Sequence, residues 1–217
     1  MKLSNRLRAG MLGTVLASLV PLVASAQVGA NVGQLLDPNR ATAAELSALP
    51  GLNAEIAEAI VGGRPWLVMT RLDEMLSQRG LAEAQRETLY GRLWDPLNLN
   101  ATTAEEILLI PGAGDRVVRE FQEYAPYANL AVFNREMSKY WDAEEVARLA
   151  QYVFVPIDLN TTTAADILTI PGSGQRVVRE FMEYRPYVSM EQFRREMLKY
   201  WQGAEVARLE QYVKIGS

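Results

Sequence analysis

Apolar residues along this chain fall three and four apart in short runs, and the runs recur in the same order. Leu46 and Leu49 are spaced by three, as are Ile107 and Ile110, and Ile167 and Ile170, so each pair lies on one face of a short helix. A second run carries Val117, Val118 and Phe121, or Val177, Val178 and Phe181, and predicts a helix ending near Tyr124 or Tyr184. A third passes through Phe133 and Met137, or Phe193 and Met197. A fourth passes through Val146, Leu149 and Val153, or Val206, Leu209 and Val213. No alternating strand pattern of any length intervenes. The pattern predicts an all-α chain.

The punctuation between runs shows a repeat. Leu49-Pro50-Gly51, Ile110-Pro111-Gly112 and Ile170-Pro171-Gly172 recur at intervals of 61 and 60 residues. Residues 97–156 and 157–216 share 36 identities in 60 positions, while the first copy, 35–95, has drifted but keeps the hairpin and Pro65-Trp66, matched by Pro126-Tyr127 and Pro186-Tyr187. Each copy opens with a capping signal: Thr42 with Glu45, Thr103 with Glu106, and Thr163 with Asp166, whose shorter side chain is expected to reach less well. Proline disfavours helix at the residue before it, so the first helix stops and the chain turns on glycine. Connections such as 95–98 and 155–158 are short and lack Gly/Ser flexibility, which predicts a stiff array.

Residues 1–26 read as an export signal. Lys2, Arg6 and Arg8 precede an apolar stretch around 11–23, and Ala24-Ser25-Ala26 matches a cleavage site. An uncleaved anchor is the alternative, since a span needs roughly 18 apolar residues, but Pro21 and Ala-Ser-Ala fit cleavage better. The expected organisation is a signal at 1–26, then units at 27–96, 97–156 and 157–217, in a periplasmic or secreted protein that does not span a membrane. With neither cysteine nor histidine, the chain lacks a disulfide framework, a thiolate nucleophile and the commonest general base. Adjacent carboxylates such as Glu105-Glu106 and Glu144-Glu145 point apart on a helix. A non-enzymatic protein without cofactor or metal is expected.

Without the signal, 19 Lys and Arg face 26 Asp and Glu, a net charge of −7 that opposes general attraction to polyanions. The balance is 6 to 9 in 27–96, 5 to 9 in 97–156 and 8 to 8 in 157–217. Only the third unit escapes net repulsion.

The motif Asn-x-Thr-x-x-(Glu/Asp)-(Ile/Leu)-x-x-(Leu/Ile)-Pro-Gly-x-Gly, followed by a helix and a Pro-aromatic turn, resembles the helix-hairpin-helix family, specifically the ComEA-like periplasmic DNA receptors. The resemblance covers nearly all of 27–217 and implies three tandem helix-hairpin-helix units of about sixty residues. It implies that the Gly-x-Gly hairpin offers backbone amides to a phosphate oxygen of duplex DNA without reading sequence. The same domain also occurs in exported proteins with structural roles. Glycine lets backbone approach a ligand, and the following helix supplies unpaired N–H groups and its positive end.

Carried onto this chain, the motif fits unit 3 best: Gly172, Ser173 and Gly174 form the hairpin, and Gln175 and Arg176 open the helix. Gly112, Ala113 and Gly114 with Arg116 form a weaker candidate, because Asp115 sits where phosphate would dock and is positioned to cap its own helix. In unit 1, Asn53 replaces the second glycine and Glu55 follows. The second Gly-x-Gly of ComEA-like domains is replaced by Arg79-Gly80-Leu81, Tyr140-Trp141-Asp142 and Tyr200-Trp201-Gln202. Supporting cations are Arg179, Arg194, Arg195 and Lys199. Arg176 and Arg179 each precede a glutamate by four residues, Glu180 and Glu183, and can form surface pairs; Arg194-Arg195 is less compensated. Tyr124, Tyr127, Tyr140 and Trp141, with Tyr184, Tyr187, Tyr200 and Trp201, fit core packing better than base stacking. Two functions follow: duplex DNA-backbone binding, or a scaffold that engages an envelope protein and no DNA.

Overall fold

A computed structural model describes residues 35–216; the expected signal at 1–26 and its cleavage point lie outside the described residues. Twelve helices among these residues fall into three sets of four. Unit 1 holds α1 (Ala43–Ser47), α2 (Ala54–Gly62), α3 (Met69–Gln78) and α4 (Glu83–Tyr90). Unit 2 holds α5 (Ala104–Leu108), α6 (Asp115–Glu123), α7 (Leu130–Met137) and α8 (Ala143–Leu149). Unit 3 holds α9 (Ala164–Ile167), α10 (Gln175–Glu183), α11 (Met190–Met197) and α12 (Gly203–Glu210). No helix among the described residues is long and apolar enough to cross a membrane.

Short strands modify the all-α expectation. β1 (Leu97–Asn98) runs parallel to β2 (Val153–Phe154), β3 (Ile157–Asp158) runs parallel to β4 (Val213–Lys214), and a single bridge joins Leu36 to Leu93 in the same sense. Val153 and Val213 therefore leave the predicted fourth helix, which stops at Leu149 in unit 2 and Glu210 in unit 3. Two residues are too few to show period-two alternation, which is why the strands leave no mark on the pattern.

The capping boxes form as read. Thr42, Thr103 and Thr163 each accept from the third residue's amide, and Asp166 closes its box as completely as Glu106, with Thr163 N donating to Asp166 Oδ2 at 3.0 Å. The Asn before each box clamps the Pro-aromatic turn. Asn160 Nδ2 donates to Tyr187 O at 2.8 Å and its Oδ1 accepts from Tyr187 N at 2.7 Å, and Asn39 and Asn100 hold Trp66 and Tyr127 in the same way. Pro65, Pro126 and Pro186 follow cis peptide bonds.

Phe121 packs edge-on against Phe133 in unit 2, and Phe181 against Phe193 in unit 3, all buried; each such ring contributes roughly 1.5–3 kcal/mol by burial. Units 1 and 2 share one continuous apolar cluster, knitted by Trp94, whose indole N–H donates to Tyr152 O at 3.0 Å. Unit 3 has its own cluster, reached from unit 2 by Phe154 against Tyr212. Unit 3 meets unit 1 through polar groups instead, with Gln211 Nε2 donating to Asp95 Oδ2 at 3.4 Å.

Candidate functional site

The unit 3 hairpin connects α9 to α10. Ser173 N donates to Ile170 O at 2.9 Å, and Gly172 takes φ +72°, a left-handed turn that a side chain would strain. From below, Arg208 Nη1 donates to Pro171 O at 2.7 Å while its Nε and Nη2 fork onto Glu205 at 2.8 and 2.7 Å. Arg208 is 2% exposed, so the turn rests on a buried guanidinium. Gly174 begins α10 in extended backbone with no side chain to cap it. The N–H groups of Gly174, Gln175 and Arg176 find no acceptor among the described residues, and a Cβ built on Gly174 meets nothing within 4 Å. Such a helix start attracts anions.

Two guanidiniums belong to this turn region. Arg176 lies over the Trp201 and Tyr200 rings, at 5.3 and 5.8 Å from their centroids. Arg40, from unit 1, lies against the Cα of Gly172 so closely that any side chain there would collide with it. Arg40 is exposed and makes no ion pair among the described residues. A cleft of about 670 Å³ lies beside it, lined by Asp37, Arg40, Leu49, Trp94, Pro171 and Gly172.

Unit 2 repeats the turn, with Gly112 at φ +74° and Arg148 Nη1 donating to Pro111 O at 2.7 Å. Asp115 is exposed, and α6 has no side-chain cap hydrogen bond, so the expected self-capping is not formed. Unit 1 differs at the point that matters: Asn53 Oδ1 accepts from Ile56 N at 2.9 Å and so satisfies the helix start internally.

The expected helix-surface pairs are rearranged. Arg179 turns to its neighbour Glu180 at 2.6 Å, and Arg176 takes the aromatic pair in place of a carboxylate. The reason is burial: Glu180 is 1% exposed and draws the nearest guanidinium over itself. Arg195 binds Glu196 at 3.1 Å, Lys199 binds the same carboxylate and sits 4.9 Å over Tyr184, and Tyr184 and Tyr200 join hydroxyls at 2.7 Å. Bonding to Tyr184 first, and burial second, hold the Tyr200 phenol above its ordinary pKa. Arg194, expected with Arg195 to be less compensated than Arg176 and Arg179, is instead held firmly, because Glu210 grips it at 2.5 and 2.6 Å and Glu191 adds a contact at 3.5 Å. Thus Arg179, Arg195 and Lys199 join Arg176 in one panel, and Arg194 stands outside it.

The same panel stands in unit 2, with Arg116 over Trp141 at 5.2 Å, Arg119 on Glu120 at 2.9 Å, and Tyr124 bonded to Tyr140 at 2.6 Å. Tyr127 and Tyr187 are core residues as expected; Tyr124, Tyr140, Trp141, Tyr184, Tyr200 and Trp201 are only half-buried and form the panel. Among its described residues, unit 1 has none of it. Glu55 and Arg79 occupy the places of Arg116 and Tyr140 and pair at 3.1 Å.

Sequence reasoning missed Arg40 and Arg208. The recurrence of Arg148 and Arg208, each three residues after a glutamate, was a usable signal; nothing local announces Arg40, whose neighbour lies in another unit. Compared with protein-family models, curated proteins and solved structures, the chain matches none.

Proposed function

We propose that this is an exported, non-enzymatic protein of helix-hairpin-helix units whose third unit binds the backbone of duplex DNA without reading its sequence. One observation carries the reading: the N–H groups of Gly174, Gln175 and Arg176 are uncapped at a helix start with open space around Gly174, and Arg176 and Arg40 belong to the same turn region, Arg40 lying against Gly172. Phosphate oxygens satisfy such donors, and glycine allows the approach. The supporting cations Arg179, Arg195 and Lys199 contribute less, since each is already bound to a buried carboxylate. The weaker hairpin at Gly112, Ala113, Gly114 and Arg116 carries Asp115 on its approach.

That same ion pairing favours a second reading, a scaffold engaging an envelope protein. With its cations neutralised internally, the surface offers few free charges to a polyanion.

Titration of the mature chain with labelled duplex at low salt separates the two. DNA binding should show a shallow salt dependence, equivalent to about two to four phosphates at roughly 0.9 per contact. Gly174→Val is tolerated by the extended backbone and open surroundings, so it should retain helicity by circular dichroism and lose binding. Arg176→Glu and Arg40→Glu should each weaken binding about tenfold or more, the scale of one charge-assisted contact. A parent that fails to bind, or a folded Gly174→Val that binds as the parent does, leaves the scaffold.

A further inference from the structure

The seam between unit 1 and unit 3 gathers buried groups that the hairpin does not use. Asp95, 2% exposed, accepts from Gln211 at 3.4 Å through Oδ2, and its Oδ1 has no partner. Asp37 accepts from Asn39 N at 2.7 Å through Oδ1, and its Oδ2 is enclosed and unpartnered. The Tyr212 hydroxyl, buried beside them, is also unpartnered. The cations around the seam are committed elsewhere. Arg208 is forked onto Glu205 and Pro171 O, Arg64 donates to the carbonyls of Pro38 and Ala41, and Arg40 lies on Gly172. An enclosed carboxylate with one oxygen unpartnered and no cation bonded to it is costly as an anion and cheap as a neutral acid.

The seam is also the junction best able to part. Units 1 and 2 share an apolar core, and unit 3 keeps its own, so opening the seam breaks neither cluster. We propose that the seam is a proton-operated clasp: unit 1 closes on unit 3 when Asp95 and Asp37 are neutral and is released as they ionise. Burial pushes both carboxyls upward, Asp95 furthest because the charge of Asp37 adds to its rise, while hydrogen bonds from Asn39 and Gln211 and the charges of Arg208, Arg40 and Arg64 oppose it without cancelling it. Because the closed state binds protons more tightly, closure is complete below the ordinary carboxylate range and fades as pH rises through the raised values. Opening draws Arg40 away from Gly172. The effect of that on DNA rests on the function proposed above; the clasp does not.

The full mature chain, free of native cysteine, can carry spin labels at Ser47→Cys in unit 1 and Leu198→Cys in unit 3, both exposed positions. Distances measured from about pH 4 to pH 8, spanning the carboxylate range and above, should show one short population at the acid end and a growing longer one toward neutrality. Asp95→Asn keeps an acceptor for Gln211 without the charge and should hold the short population throughout. Gln211→Glu adds a third acid to the seam and should move opening to lower pH. A parent with one distribution at every pH, or a folded Asp95→Asn and Gln211→Glu that both track the parent, overturns the clasp. Neither readout involves DNA, so a chain that binds no duplex still tests it.

Discussion

Units 1 and 3 have the same four helices in the same order and opposite surfaces. In unit 3 the second helix starts bare on Gly174 with Arg176 on an aromatic panel; in unit 1 it starts on Asn53, which caps it, and Glu55 pairs with Arg79. The interior was kept while the outside was exchanged: the Asn clamp, the buried first-helix apolar residue and the left-handed hairpin glycine are common to both. Packing constrains a position by volume, whereas a surface is constrained only by what it meets. Unit 1 instead lends unit 3 a guanidinium and two carboxyls across the seam.

The largest expected difference lies beneath the hairpin. Arg208→Ala removes the buried fork under Pro171 and should cost roughly 3 kcal/mol in urea unfolding, since it leaves Glu205 and a carbonyl without their donor. Thr88→Ala, at the matching exposed position of unit 1, should stay within about 0.5 kcal/mol. Equal losses would mean that unit 1 has a support of its own. The clamp should level the comparison: Asn39→Ala, Asn100→Ala and Asn160→Ala each delete two hydrogen bonds and should each cost about 2 kcal/mol. A much smaller loss for Asn39→Ala would show that unit 1 has begun to loosen inside as well. The smallest difference is one of acid response. Lys139 first, and Arg135 after it, hold the Glu136 carboxyl below its ordinary range, and Lys199 and Arg195 do the same for Glu196. These groups stabilise their units above the ordinary carboxylate pKa and lose that contribution as pH falls through the lowered values. Met75 holds that place in unit 1, so NMR titration should show depressed carboxyl midpoints at Glu136 and Glu196 and no counterpart on the third helix of unit 1.

Much of the helical plan was legible. Thr103, Pro111, Gly112 and the spacing of Val117 and Phe121 mark turn, cap and buried face by local chemistry, and the repeat doubles each signal. What escaped was decided between units or by burial. Arg176 spacing pointed to Glu180, but Glu180 is buried and Arg179 covers it, a competition visible only once the helix is packed. Arg40 reaches Gly172 from far away in the chain, and two-residue strands carry no pattern at all.

The parallel pairing of each unit's first and last residues has one more effect. Leu97 lies beside Val153, and Ile157 beside Val213, so the backbone leaves a unit next to where it came in and only a short connection separates one unit from the next. A whole copy can therefore be gained or lost by recombination without forcing its neighbours to reroute. Residues 97–156 and 157–216, identical at 36 of 60 positions, are such a pair of copies.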